Sequence, residues 1–102
     1  MRIVKDSRLR GFAKQYPRAS VSLKNWRTVT RLATWRSFSD LRDTFSTADQ
    51  INLPGGYRVV VFNIGGGAFR LITAVHYNRG IVYIRQFLTH AQYSKDDWKN
   101  DP

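Results

Sequence analysis

Tyr57-Arg-Val-Val-Val-Phe-Asn-Ile64, Phe69-Arg-Leu-Ile-Thr-Ala-Val-His-Tyr77 and Ile81-Val-Tyr-Ile-Arg-Gln-Phe-Leu88 are three runs dense in β-branched and aromatic residues. Such side chains suit a pleated, half-buried surface, so each run reads as a strand. Gly65-Gly-Gly67 and Asn78-Arg-Gly80 separate them and supply the backbone freedom that tight hairpins need. Connections this short allow only antiparallel neighbours, and the stretch predicts a three-stranded meander.

Upstream the period changes from two to about 3.6. Arg2–Val4 reads as a short first strand. Asp6 or Ser7 can cap a helix through Leu9, Phe12, Ala13 and Tyr16, which Pro17 ends. Ser20 can cap a second helix with Val21, Leu23, Trp26, Val29 and Leu32 near one face and Lys24, Arg27 and Arg31 on the other. Ser39 is the expected cap of a short helical turn through Leu41 and Phe45. Thr47–Gln50 reads as turn-like, Pro54–Gly56 as a loop, and Ala91–Lys99 as a short terminal helix whose last four residues fray. The fold class is α+β, one domain over residues 1–102. An N-terminal strand and helical hairpin pack on one face of the meander and leave the other face partly open.

The formal net charge is +10, from 17 Lys and Arg against seven acids, all Asp. Self-repulsion of that size points to a polyanionic partner. The absence of cysteine removes disulfide scaffolds, Cys-zinc sites and thiol nucleophiles together. No apolar run approaches the roughly 18–20 residues of a membrane span, and a soluble cytoplasmic protein is expected.

Not one carboxylate occurs from Gln50 to Lys95, a stretch of 46 residues. Arg58, Arg70, Arg79, Arg85 and Lys95 stand in it unopposed, and Arg is the side chain whose fork matches phosphate oxygens. Both histidines of the chain are also here. His76, on a strand, reads equally as structural or functional. His90 follows a strand end beside a second ionisable group, where an imidazole suits proton transfer. Tyr93, three residues on, can share its cleft or pack in the core. By strand parity Arg70 and His76 share a face, and Arg85 goes with Ile81, Tyr83 and Phe87. A two-residue turn at Arg79-Gly80 puts both arginines on one side, and a three-residue turn separates them unless a bulge intervenes. Gly65-Gly-Gly67 lacks the ending of a nucleotide-binding loop. No metal-ligand spacing is present, and no cofactor is implied.

Val61-Phe-Asn-Ile-Gly-Gly66, Phe69-Arg-Leu-Ile72, His76-Tyr-Asn-Arg-Gly80, Val82-Tyr-Ile-Arg85 and Leu88-Thr-His-Ala91 with Tyr93 resemble, in order and spacing, the HigB-type toxins of bacterial toxin–antitoxin pairs. Trp35-Arg-Ser-Phe-Ser-Asp-Leu41 and Ser46-Thr-Ala-Asp49 resemble that family's middle section. The resemblance implies a RelE-like fold and a ribosome-dependent, metal-independent endoribonuclease that cuts translated mRNA. It also implies a HigA-like helix-turn-helix antitoxin, through which alone operator DNA is bound. Carried over by position, Arg70, Arg85, His90 and Tyr93 are the implied catalytic set. Lys24, Arg27, Arg31, Arg58, His76, Arg79 and Lys95 are the residues expected to bind RNA and the ribosome. The sequence departs from the family pattern at Ala68, where a cation is common, and at Ser94, where an Asp is common. A gyrase-targeting toxin of the same fold and a non-catalytic nucleic-acid-binding module are the alternatives.

Overall fold

The structure, a computed structural model, describes residues 1–100. Its sheet has five strands: β1 (Arg2–Val4), β2 (Asp49–Asn52), β3 (Arg58–Ile64), β4 (Phe69–His76) and β5 (Ile81–Thr89). They lie in the order β1-β5-β4-β3-β2. The expected meander β3-β4-β5 forms its centre. Two short strands extend it at the edges, β1 parallel to β5 and β2 antiparallel to β3. The turn expected at Thr47–Gln50 is corrected: it runs into β2, whose Asp, Gln and Asn side chains suit an exposed edge and carry no strand signature.

Helices α1 (Arg8–Gln15) and α2 (Ser20–Leu32) form the hairpin over one sheet face, and α3 (Phe38–Thr44) extends the layer. The main core lies between, with Leu9, Leu23, Trp26 and Leu41 against Phe62, Leu71, Val82 and Ile84. Three sequence expectations change here. Ser20 does not cap α2; a 3₁₀ turn over Pro17–Ala19 leads straight into the helix, with proline at its first position. The buried stripe of α2 is Leu23, Trp26 and Thr30, spaced i, i+3, i+7. Val21 and Leu32 fall off that stripe and are 81% and 80% exposed. The cap of α3 is Ser37, not Ser39: the Ser37 hydroxyl accepts from the Asp40 N–H at 3.2 Å.

The opposite sheet face is less open than expected. Leu53, Val59, Val61, Ile72 and Trp98 form a second buried cluster there, with Leu88 and Tyr93 packed against it. Trp98 comes from a 3₁₀ turn (Asp97–Asn100) that follows the five-residue helix α4 (His90–Ser94). The expected frayed end of one longer helix is therefore corrected; burial of the indole ties the segment down.

β4 and β5 are joined by four residues, Tyr77–Gly80, so His76 pairs with Ile81 and the two strands start in phase. Farther along, the register slips between Ile72 and Thr73, which pair with Gln86 and Ile84. Ile84 and Phe87 both belong to the helix-side core. The residues between them, Arg85 and Gln86, consequently both project to the other face, as a β-bulge requires. This corrects the simple parity that grouped Phe87 with Arg85.

Candidate active site

The site begins with the glycine turn. Gly65, Gly66 and Gly67 all have positive φ, 63°, 67° and 96°, a region closed to most side chains. The turn brings the Gly67 carbonyl back over the first residues of β4, where Arg70 Nη1 donates to it and to the Phe69 carbonyl at 3.2 Å. The guanidinium is thus pinned by its own backbone rather than by an acid.

At the far end of β5 the chain turns into α4 through a reciprocal cap. The Thr89 hydroxyl accepts from the Gln92 N–H at 3.2 Å, and the Thr89 N–H donates to the Gln92 side-chain oxygen at 2.9 Å. The His90 N–H donates to the Ala68 carbonyl at 2.9 Å, which ties α4 to the glycine turn. These bonds place the exposed His90 ring so that its Nδ1 accepts from Arg70 Nη2 at 3.3 Å. A guanidinium has no acceptor, so the imidazole must present its lone pair at Nδ1 and carry its proton on Nε2.

Tyr93 completes the group. The Arg70 guanidinium lies over its ring, 5.3 Å from the centroid. The phenol ring also stacks on Trp98, with centroids 5.2 Å apart and planes 19° from parallel, and the indole N–H donates to the Tyr93 carbonyl at 3.0 Å. Burial raises the Tyr93 pKa, the Asp49 and Asp96 carboxylates add to the rise, and Arg70 and Lys99 oppose it. The phenol is a proton donor at neutral pH. Asp49 belongs to the edge strand that the sequence hid, so the acid-free stretch is not acid-free in space.

Arg70 therefore touches both His90 and Tyr93. Arg85 lies on the same sheet face, about three residues along β4 from Arg70, or roughly 10 Å. Its Nε is buried with no hydrogen-bond partner. The remaining basic residues separate into three places. Arg58, His76 and Arg79 lie at the opposite end of the sheet, where Arg58 donates to the Asn52 side chain at 3.2 Å and His76 meets Tyr83 edge-on at 5.1 Å. Lys24, Arg27 and Arg31 are on α2, and Arg27 is engaged in a two-point pair with Asp6 at 2.7 and 2.8 Å. Lys95 follows α4 and is exposed. Among the described residues the ion pairs are Arg27–Asp6 and Lys99–Asp96, so neither Arg70 nor Arg85 is neutralised.

Two features escaped the sequence reading. The Gly67 and Ala68 carbonyls act as anchors for Arg70 and His90, and backbone groups leave no compositional trace. Trp98 backs Tyr93; its signal was a large apolar residue in an otherwise charged tail.

No curated protein matched the chain. Residues 19–96, which include Arg70, Arg85, His90 and Tyr93 but not β1, α1 or Trp98, match the HigB_toxin family model, described as the RelE-like toxic component of a toxin–antitoxin system. The α+β architecture is compatible with that fold, and the chain belongs to the HigB toxin family, with an antitoxin as its implied partner.

Proposed function

We propose that this toxin is a ribosome-dependent, metal-independent endoribonuclease that cuts translated mRNA and so stops translation, and that a HigA-like antitoxin restrains it. The observation that carries the reading is the contact of Arg70 with both His90 Nδ1 and the Tyr93 ring on an un-neutralised basic face. Cleavage of an RNA phosphodiester forms a bond from the 2′-oxygen to phosphorus and breaks the bond to the 5′-oxygen. One proton leaves the 2′-hydroxyl and one is supplied to the 5′-oxygen, giving a 2′,3′-cyclic phosphate. Arg70 turns its Nη2 from His90 to a phosphate oxygen and holds the charge that builds there, with Arg85 on the same face as second cation. This frees Nδ1, the unprotonated nitrogen, to take the 2′-hydroxyl proton, and the Tyr93 phenol gives its proton to the departing oxygen. Arg70 and Trp98 both pack on the Tyr93 ring, and the part assigned to this residue is that of its hydroxyl.

The test is mapping of mRNA 5′ ends after incubation of ribosomes carrying a defined message with purified toxin. Removal of a charge-stabilising donor lowers such a step by about 10²–10³, and this is the loss expected for Arg70→Ala. For His90→Ala the loss expected of an acid–base group is about 10²–10⁴. Equal cutting by both variants refutes the assignment, and arrest of replication with translation intact replaces it with a gyrase-targeting toxin.

A further inference from the structure

At the end of the sheet away from Arg70, β1, the end of α2 and the Trp35-Arg36 segment line an open cavity of about 720 Å³. Four arginines line it, Arg2, Arg27, Arg31 and Arg36, against one acid, Asp6. That carboxylate is already committed, with both oxygens taken by Arg27. The carbonyls at the end of α2 attract cations in most helices. Here those of Thr30, Arg31 and Ala33 accept from the Met1 amino group at 3.1, 3.3 and 2.5 Å. The side chains of Arg2, Arg31 and Arg36 form no ion pair among the described residues, although the Arg36 backbone N–H donates to the Asp40 carboxylate at 2.9 Å and Arg31 helps to lower the Asp6 pKa. Tyr77 is also among the lining residues, and its hydroxyl is buried without a hydrogen-bond partner. Arg36 and Tyr77 also line an adjoining cavity of about 680 Å³ that reaches His76. Like charges gathered this closely repel one another, and the unspent donors define a track from Arg31 through Arg36 to His76.

We infer that this track is a second phosphate-binding site, which takes the backbone of an RNA segment distinct from the one at Arg70. Six strand residues separate Arg70 from His76, roughly 20 Å, too far for the phosphates that flank a single scissile bond. Every cationic side chain lining the larger cavity is an arginine, whose fork grips phosphate oxygens in pairs. A repeating polyanion matches a track that runs on into a second cavity better than an isolated acidic side chain does. The assignment deepens the RNA-directed reading above without depending on cleavage.

The test is fluorescence anisotropy with a fluorescein-labelled, 12-nucleotide single-stranded RNA, using full-length protein in a His90→Ala background so that nothing turns over. Replacing Arg2, Arg31 and Arg36 with Ala together removes three phosphate contacts. The slope of log affinity against log salt is expected to shrink by about 2, with affinity down about tenfold or more at moderate salt. Should the triple variant fail to fold, Arg36→Ala alone is expected to lower the slope by about 0.7. Unchanged affinity and slope overturn the site. So does loss of binding to the purified cognate antitoxin with RNA binding intact, which makes the track a protein-docking surface. Failure of the wild type to cut mRNA, with the slope difference present, removes the nuclease reading and leaves this site standing.

Discussion

Replacing Trp98 with Ala separates a packed C-terminal segment from an idle one. The indole is 6% exposed, stacks on Tyr93 and donates its N–H to the Tyr93 carbonyl. A buried Trp side chain covers about 200–250 Å², an upper bound of about 6 kcal/mol at ~25 cal/mol per Å². Aromatic-to-Ala changes in cores measure about 3–5 kcal/mol. Trp98 belongs to a cluster of five buried residues near the chain end rather than to the main core. That segment can relax, so the lower figure applies, about 3 kcal/mol. For a domain of this length each kcal/mol moves Tm by about 4–8 °C, so calorimetry should record a fall of more than 10 °C. Trp98→Phe keeps the stack and loses one hydrogen bond, about 1 kcal/mol. Just below the lowered Tm, Trp98→Ala should also cut mRNA more slowly, because nothing then holds Tyr93 against Arg70. A Tm shift under 2 °C together with unchanged cutting refutes the claim that this segment organises the site.

Four further outcomes follow from the same geometry. Tyr93→Phe retains the stack and the Arg70 contact, so Tm should hold within a degree or two while mRNA cleavage falls by about 10² or more; equal losses in both mean that the hydroxyl has no chemical part. Gly67→Ala places a side chain at φ 96° and disturbs the carbonyl that anchors Arg70, so calorimetry should show about 1–2 kcal/mol of lost stability and the cleavage assay reduced cutting. Arg85→Met removes a buried, unpaired Nε–H; an unmet donor costs about 1–3 kcal/mol, so urea unfolding should show a stabler protein that cuts less. Asp6 has its pKa lowered, first by its bond to Arg27, so its contribution is present above the unfolded carboxylate value and is lost as pH falls through the lower folded one. Both partners are about a third or more exposed, so solvent screening keeps the effect small. Asp6→Asn should flatten the acid limb of a stability–pH curve below about pH 4.

The three central strands were legible in the sequence to within a residue or so, because Val, Ile and Phe cluster between glycine turns. The helical hairpin was legible from Leu23 and Trp26. What failed depended on tertiary packing. Asp49–Asn52 becomes a strand only because β3 offers an edge, and Ser37 wins over Ser39 as cap through the Asp40 N–H. The bulge that turns both Arg85 and Gln86 to one face has no local signature, so parity misassigned Phe87. Arg70, His90 and Tyr93 were grouped by motif order, and their contact in space is a matter of the glycine turn and the α4 cap. Arg27, counted among free cations from its helix face, is held by Asp6 from 21 residues upstream.

The pairing of β1 with β5 joins Arg2 to Ile81. Closing a loop of 79 residues costs about 4 kcal/mol or more in chain entropy, repaid only when β5 is in place. During synthesis the first strand must wait, unpaired, until nearly the whole chain has been made. Arg85, His90, Tyr93 and Trp98 emerge at that same late moment. The site is therefore incomplete until β5, α4 and the turn that carries Trp98 are all in place.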